Sequence, residues 1–443
     1  MTSMGDDLPI DSAGQNSMGR RVKSKMKKSD PSEWSIQDFL AECKNADAAD
    51  ERFEDTPEKE QMFEFVAYND NGKLGDIYEG VSRYLRKKLK WKKKKDSKGR
   101  FHLILGAAQG SGIPFRRFGQ LIRAEYGIRP HCNYYRGFQC VTKKSQLVST
   151  FRTYEETSGW DASSVVPETF CFFPSKPDEN ETDEFRTAFE SSSKSGKSNV
   201  WILKPSDGAH GRDIVIMDDY DEIIDFLEKF EKGTPPWVVQ RYITNPLLLN
   251  GGRKFDMRFW VLLDHNYDVY IYEQGVCRTC SPKFTIDDLT DKFAHLSNHG
   301  LQESHRDFGA YESGNEMFTD AFAKWLSSNA HRGGTVYQDE ILPQVKEIIY
   351  HTLQAGKTNM EIREVCGSEY SSFQVFGFDL MVDEDLKVWL IEANASPAVA
   401  DDIRRDFVRD LVHVAILPKM CETETPQDTG FQLIELDAPS NKK

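Results

Sequence analysis

Short apolar runs alternate with polar, glycine-rich stretches along most of the chain, and this pattern predicts a succession of strands and helices. The segments SNVWILK (198–204) and WVVQRYI (237–243) are apolar and rich in β-branched or aromatic residues, as strands are. The segments GDIYEGVSRYLRKKL (75–89) and YDEIIDFLEKF (220–230) repeat apolar residues at the helical spacing. Strands and helices that follow one another in this way predict an α/β (α+β) fold.

The same pattern divides the chain into five predicted segments. They are a disordered extension (1–61), a small α/β domain (62–142), a central domain (143–245), a C-terminal domain (246–421) and a disordered tail (422–443). The two end segments are polar and lack sustained periodicity, which is typical of disorder. Within the first of them, residues 35–44 have an amphipathic pattern that begins at a capping serine, and this predicts a short helix.

Composition narrows the class of protein. The chain of 443 residues has eight cysteines, too few for a disulfide framework, so we expect a reducing, cytoplasmic location. No apolar run is long enough to span a membrane, and the first residues lack the basic and apolar leader of a secreted protein. The formal net charge of −14 argues against nucleic acid as a partner. We expect a monomer.

Positive charge is nevertheless concentrated in one place. Residues 83–100, RYLRKKLKWKKKKDSKGR, contain eleven basic residues and one acidic residue. Such a run is consistent with a solvated helix face and equally with a docking surface for an acidic partner.

Three polar residues interrupt the apolar hairpin FGFDLMVDEDLKVWLIEANASP (376–397), namely Asp379, Glu392 and Asn394. If the turn centres on residues 385 and 386, Asp379 lies opposite Glu392 and Asn394 lies on the same face, because strand side chains alternate between faces. Neighbouring carboxylates repel each other and resist burial. Mg²⁺ relieves both effects and prefers oxygen ligands. The hairpin therefore predicts a magnesium site, with a solvated strand end as the alternative.

Magnesium held by one or two carboxylates usually shares its coordination shell with phosphates, and WILKPSDGAHGRDIV (201–215) offers a place for them. Lys204 ends an apolar strand, and Gly208 and Gly211 follow in a loop where backbone N–H groups can approach phosphates. This glycine spacing also occurs in ordinary turns. The segment is therefore a candidate phosphate loop rather than a diagnostic one.

Further charged residues interrupt later segments. In RKFDMRFWVLL (253–263), the side chains of Lys254, Asp256 and Arg258 share one face, although a surface strand has the same pattern. Arg278 lies in VCRTCS (276–281). The loop HLSNH (295–299) is equally consistent with a catalytic and with a structural histidine.

Taken in order, these segments resemble the tubulin–tyrosine ligase family, which has an ATP-grasp fold. The matching stretches are NVWILKPSDGAHGRDIVI, VVQRYI, GRKFDMRFWVLL, HLSNH and FQVFGFDLMVDEDLKVWLIEANASP, and the resemblance covers about residues 62–420. It implies a small N-terminal domain and two lobes that sandwich ATP. It also implies a ligase that uses ATP and Mg²⁺ to form an acylphosphate and adds tyrosine to the C-terminal glutamate of detyrosinated α-tubulin. A tubulin glutamylase or glycylase and a catalytically silent tubulin-binding protein are the alternatives.

The resemblance also implies partners. They are free tyrosine and the α-tubulin of the tubulin heterodimer, bound through its acidic C-terminal tail, with the basic run at 83–100 placed where the family's N-terminal domain contacts tubulin. Association with the cytoskeleton is a further expectation.

The resemblance assigns roles to residues by motif position. The metal ligands are Asp379, Glu392 and Asn394, and the catalytic residues are Arg258, Arg278, Lys204 and Glu392. The nucleotide-binding residues are Lys144, Lys204, Gln240, Arg241, Ile243, Lys254, Asp256, His295, Ser297 and Asn298. After the metal motif, Ala395 and Ser396 are closer to the glutamylating and glycylating relatives than to the tyrosine ligase.

Overall fold

The computed structural model of the protein describes residues 63–67, 74–95, 101–107, 113, 115, 130–208, 211–329, 335–360, 364–365, 368–421, 426 and 428–436. All of them belong to one compact unit, Lys59–Lys443. The predicted extension at 1–61 and its short helix at 35–44 lie outside the described residues.

The strands are β1 (Glu64–Ala67), β2 (Lys92–Lys94), β3 (Leu103–Leu105), β4 (His131–Cys132), β5 (Thr169–Phe172), β6 (Trp201–Pro205), β7 (Val215–Met217), β8 (Trp237–Arg241), β9 (Leu248–Leu249), β10 (Arg253–Leu263), β11 (Val269–Tyr272), β12 (Val276–Thr279), β13 (Glu316–Phe318), β14 (Glu364–Val365), β15 (Ser368–Glu369), β16 (Ser371–Ser372), β17 (Gln374–Val382), β18 (Val388–Asn394) and β19 (Phe431–Leu433).

The helices are α1 (Asp76–Lys87), α2 (Gln139–Thr142), α3 (Lys144–Ser158), α4 (Thr182–Ser195), α5 (Tyr220–Glu228), α6 (Lys292–His295), α7 (His299–Gln302), α8 (Thr319–Asn329), α9 (Leu342–Met360), α10 (Asp401–Leu411) and α11 (Leu417–Cys421). Short π-helical turns precede α9 and α11.

The first sheet is parallel, with the strand order β16-β4-β3-β1-β2. Helix α1 follows β1 and buries Ile77, Val81 and Leu85, which repeat at the helical spacing, in the main hydrophobic core. Strand β16 comes from residues 371–372, so a segment far along the chain completes this sheet.

The second sheet is antiparallel and has the order β5-β8-β6-β7. Alternate residues of β6 serve different faces, as the period of a strand requires. Trp201 and Leu203 join a separate core with residues of α4 and α5, whereas Ile202 packs in a different cluster on the opposite face, which also carries Lys204. The helices therefore cover one face, and the other is left for a site.

The third sheet is built around β10. Along one edge, the first part of β10 pairs with β12 and the last part pairs with β11. The other edge of β10 pairs with β17, which in turn pairs with β18. Strands β9, β13 and β19 complete the sheet. Nearly every residue of β10 and β17 is buried, so the charged residues that these strands carry are enclosed by the fold.

The hairpin of β17 and β18 has the predicted pairing at its functional end. Asp379 lies opposite Glu392, but the register shifts between Asp379 and Leu380, which pairs with Leu390. Ile391 is therefore the extra residue of a β-bulge. The bulge puts Leu390 on the face opposite to Glu392, whereas strict alternation would place both on one face.

A short strand lies in the tail. Residues 431–433 form β19, which pairs with β11, and the ring of Phe431 is buried against Tyr272 and Phe407. The prediction of disorder for 422–443 is therefore wrong for this strand. Three residues are too few to show a periodicity, and the strand is fixed by long-range pairing.

The prediction of a mixed α/β (α+β) fold is confirmed by these sheets and helices. The domain boundaries stay predictions, although all four strands of the second sheet lie within the predicted central domain. Among the helices that the described ranges contain, none has the length and apolar character needed to cross a membrane.

Candidate active site

A cleft of about 800 Å³, counting space open to solvent, lies between the second and third sheets. Most of the site residues predicted from the sequence line it. They are Lys144, Lys204, Gln240, Arg241, Ile243, Lys254, Asp256, Arg278, His295, Ser297, Asn298, Asp379 and Glu392. Arg258 and Asn394 lie behind this lining and bind its carboxylates. The structure thus brings the predicted residues together, and their individual roles stay predictions.

The two predicted metal-binding carboxylates are neighbours on one sheet face. The amide nitrogen of Asn394 donates to both of them, at 3.3 Å to Asp379 and 3.2 Å to Glu392. Within the described ranges, no three His, Cys, Asp or Glu side chains cluster as a metal site. Two carboxylates and one amide fit Mg²⁺ that takes its other ligands from phosphates and water. Asn394 must turn its amide oxygen inward to serve as a ligand.

Two arginines bind the first of these carboxylates. Arg258 makes a bidentate pair with Asp379, with its Nη2 at 2.8 Å from Oδ2. Arg278 lies 2.9 Å from the same oxygen and makes a second bidentate pair with Asp256, at 2.7 and 2.6 Å. Ser297 also donates to Asp256 at 2.7 Å. Burial lowers the pKa of Arg278, but the two aspartates outweigh it and raise the pKa well above its usual value.

The second carboxylate faces a lysine. Lys144, the first residue of α3, lies 3.0 Å from Glu392 and donates to the carbonyl of Gly208 at 3.3 Å. Burial by itself raises the pKa of Glu392, but Lys144, Asn394 and Lys204 together hold it well below its usual value. Glu392 is therefore an ionised carboxylate at neutral pH.

Lys204 is buried on the cleft face of the second sheet and donates to Gln240 at 2.8 Å. Gln240 in turn donates to Thr169 at 3.0 Å, which fixes its amide orientation. Burial and then the positive charge of Lys144 lower the pKa of Lys204 to about 7, although Glu392 opposes the shift. Lys204 can therefore change its charge near neutral pH.

Lys254 and His295 belong to one buried network with Tyr242. Lys254 donates to the hydroxyl of Tyr242 at 2.7 Å and to the carbonyl of His295 at 3.0 Å. Burial lowers the pKa of Lys254 to about 8. Both ring nitrogens of His295 are engaged, Nδ1 with Tyr242 and Nε2 with the carbonyl of Asp288, each at 2.8 Å. The ring of His295 is therefore held in place at the cleft, and its predicted role in nucleotide binding stays a prediction.

The guanidinium of Arg241 lies beside Trp201, which belongs to the helix-covered face of the second sheet. It binds Glu168 at 2.6 Å and stacks over Trp201, with 4.3 Å from its central carbon to the ring centre. Arg241 nevertheless lines the cleft together with Ile243, two residues further along the chain.

The candidate phosphate loop approaches the third sheet closely at Gly211. This glycine has φ +69°, and a Cβ atom there would lie 2.8 Å from the amide oxygen of Asn298. The backbone conformation therefore favours glycine, and a larger residue would also displace the amide group of Asn298. Gly208 and Arg212 also line the cleft, and residues 209–210 lie outside the described residues.

Residues 122–427 match the Tubulin-tyrosine ligase family. The chain belongs to this family. Its members have an ATP-grasp-like fold, so the predicted family and fold are both confirmed.

Three curated members of the tubulin–tyrosine ligase family show how far the similarity extends. Tubulin glycylase 3B of Tetrahymena thermophila is 30% identical over 297 residues, which cover 63% of this chain and 24% of the relative. The probable tubulin polyglutamylase TTLL9 of Bos taurus is 23% identical over 361 residues, 72% of this chain and 75% of the relative. The tubulin monoglutamylase TTLL4 of Mus musculus is 27% identical over 316 residues, which cover 66% of this chain and 24% of the relative. The chain spans about a quarter of the first and third.

Sequence reasoning missed the apolar part of this family site. Ile202, Ile214, Met381 and Ile391 line the cleft beside Tyr242. Apolar walls with a few polar groups are typical of sites for small molecules and cofactors. Apolar residues in strands are expected in a core, so only the β-bulge that turns Ile391 beside Glu392 distinguishes it, and a bulge has no signal in a single sequence.

Proposed function

We propose that this member of the tubulin–tyrosine ligase family is an ATP-dependent ligase that joins glycine or glutamate to a carboxyl group in an acidic tail of tubulin. The observation that carries the proposal is the pair Asp379 and Glu392, which faces Lys204 and Lys144 across one cleft. Two carboxylates opposite two lysines match the charges of a metal–phosphate complex.

The chemistry required is activation of a carboxylate. An oxygen of the acceptor carboxylate attacks the terminal phosphorus of ATP, ADP leaves, and an acylphosphate forms. The amine of the incoming amino acid then attacks the acyl carbon, the bond from that carbon to the phosphate oxygen breaks, and phosphate leaves. Lys144 and Lys204 hold the phosphates, and Arg258 and Arg278 stabilise charge on the transferring group.

Magnesium fits the same arrangement, with Asp379, Glu392 and Asn394 as its protein ligands. When bound, Mg²⁺ neutralises charge on the phosphates. Arg258 and Arg278 pair with Asp379 in this structure, and both guanidiniums would be available to substrate carboxylates or phosphates if Asp379 held the metal instead.

The choice of amino acid departs from the leading expectation. The relatives compared are named as tubulin glycylases and glutamylases, and this favours the alternative over tyrosine. Around Arg258 and Arg278 the neighbouring side chains are Asp256, Asp379 and Ser297. These polar neighbours suit a small amino acid better than a phenol ring, whereas the support for glutamate comes from the names of the relatives.

The basic surface supports an acidic tail as the acceptor. Helix α1, strand β2 and the residues next to them expose Arg83, Arg86, Lys90, Lys93 and Lys95 to solvent. Clustered positive charge attracts an acidic peptide over a distance of about 10 Å at moderate salt. A cytoplasmic location, a monomeric state and the lack of nucleic-acid or membrane partners remain part of the proposal.

The proposed activity is tested with the purified protein, tubulin, Mg²⁺ and ATP, and with labelled glycine, glutamate or tyrosine in separate reactions. We expect ATP-dependent incorporation of glycine or glutamate, and its loss in Glu392→Gln, which keeps the shape of the side chain and removes its charge. Incorporation of tyrosine alone would restore the first expectation. Binding of tubulin without any incorporation would support the catalytically silent protein instead.

A further inference from the structure

The charged face of the third sheet continues one strand beyond the residues described above. On this face the register aligns Arg258 with Asp379 and Asp256 with Arg278. Strand β13 then adds Glu316 directly opposite Arg278. Residues opposite one another in neighbouring antiparallel strands project to the same face with their Cβ atoms about 5 Å apart. Glu316 is therefore the carboxylate next to Arg278 on the side away from Asp379.

The surroundings of Glu316 are those of a partly enclosed binding group. Its side chain is 31% exposed, and one carboxylate oxygen lies 3.6 Å from Nδ1 of His299. His299 contacts a second carboxylate, Glu303, at 3.1 Å through Nε2. Arg278 also faces Glu316, together with Asp401 and Asp402 of α10. Glu316 is thus partly open to solvent on the face of the sheet that carries Arg278.

Arg278 leaves part of its guanidinium for a further carboxylate. Its pairs with Asp256 and Asp379 use Nε and Nη2, and Nη1 takes no part in them. Arg278 and Glu316 therefore present a positive and a negative group side by side. An amino acid carries its α-carboxylate and α-ammonium on the same carbon, so it matches such a pair at close range.

We propose that Glu316 binds the α-ammonium group of the incoming amino acid, while Arg278 binds its α-carboxylate. The inference rests on the proposed function, since it names the residue that positions the attacking nitrogen. It also gives a role to the carboxylate of Glu316, which lies beside Arg278 at the edge of this charged sheet face.

The same contact supplies a proton acceptor. The ammonium passes one proton to the Glu316 carboxylate, and the nitrogen lone pair then forms the bond to the acyl carbon. The second proton leaves the nitrogen as the carbon–oxygen bond breaks, and the departing phosphate takes it. Burial raises the pKa of Glu316, Asp401 and Asp402 add to the rise, and His299 and Arg278 oppose it. A carboxyl group with a raised pKa is a better proton acceptor than an ordinary one.

The test measures binding first, so that it does not depend on turnover. Glycine and glutamate are titrated calorimetrically into the full chain loaded with Mg²⁺ and a non-hydrolysable ATP analogue. Glu316→Gln should weaken binding of the accepted amino acid by about 10-fold to 100-fold, the usual range for a charge-assisted contact. Glu303→Gln, which alters the other carboxylate beside His299, is the matched control and should change binding by less than about threefold.

Analogues of the amino acid separate recognition of the ammonium from a general structural effect. The 2-hydroxy acid of the same shape has no ammonium, so its affinity should be the same for wild type and Glu316→Gln. Glu316→Asp should restore part of the amino-acid affinity. Equal loss for the amino acid and the hydroxy acid, or no loss for either, would overturn the inference.

The outcomes also separate this inference from the proposed function. A wild type that incorporates glycine or glutamate while Glu316→Gln binds it normally would refute only the role of Glu316. A wild type that binds the amino acid through Glu316 without turnover would refute only the proposed activity. A wild type that binds neither amino acid would refute both.

Discussion

At the scale of single residues, Lys204 shows how burial prepares a side chain for a charged ligand. Its ammonium group is enclosed beside Gln240, with the charges of Lys144 and Glu392 nearby. Because burial disfavours the charged form, the free protein holds Lys204 partly neutral at physiological pH. Phosphates bind the charged form and draw a proton onto it.

The first residue-scale prediction concerns pH and nucleotide affinity. Since the pKa of free Lys204 is about 7, ATP binding above this pH must take up a proton, and affinity should fall by up to about tenfold per pH unit. The pKa of Lys254, about 8, adds to the trend at higher pH. Calorimetric titration in buffers of different ionisation enthalpy measures the proton uptake.

Lys204→Arg is the control for this prediction, because arginine keeps its charge throughout the range. It should remove most of the proton uptake between about pH 7 and pH 8. Uptake that is the same in wild type and Lys204→Arg would assign the titration to another group.

Single residues also show what the sequence could reveal about the site. Asp379 and Glu392 stood out because charges in apolar strands need a partner, and alternation then paired them correctly. Glu316 and Tyr242 did not stand out. Glu316 is placed by its pairing with Arg278, and Tyr242 by its contacts with Lys254 and His295. Contacts between distant segments cannot be read from local spacing.

At the scale of elements, the hairpin of β17 and β18 was predicted best, since both strands are strongly apolar and joined by a short acidic turn. The β-bulge at Ile391 was not predicted, because an extra residue in a strand leaves the apolar pattern almost unchanged. Its consequence is functional. Without it, alternation would turn Ile391 away from the face of Glu392.

The element-scale prediction concerns the basic surface of α1 and β2. Lys92 is paired with Glu64 at 2.8 Å. The charge is therefore reversed at Lys93 and Lys95, which are exposed. The variant Lys93→Glu/Lys95→Glu should bind an acidic tubulin-tail peptide about tenfold more weakly at low salt, and the difference should shrink as salt rises.

Reversal of two exposed lysines beside the second sheet, Lys229→Glu/Lys232→Glu, changes the net charge equally and is the control. It should leave peptide affinity almost unchanged. Equal weakening by both variants would show that only the overall charge matters, and unchanged affinity in the first variant would remove the basic surface from the account.

At the scale of the whole molecule, the site exists because two sheets from different parts of the chain face each other. The order of strands and helices predicted the class of fold, and the resemblance of motifs predicted which lobes meet. The completion of the first sheet by β16 and of the third by β19 was not predictable. Both strands are very short and are held by long-range pairing rather than by their own pattern.

In the proposed reaction, the cleft phosphorylates an acceptor carboxylate before an amine replaces the phosphate. Labelling the carboxyl oxygens of a tubulin-tail acceptor with a heavy isotope tests this claim directly. We predict that each ligation releases ADP and one phosphate that carries a labelled oxygen from the acceptor, measured by mass spectrometry of the phosphate. Ligation that releases unlabelled phosphate, or that releases AMP, would contradict it.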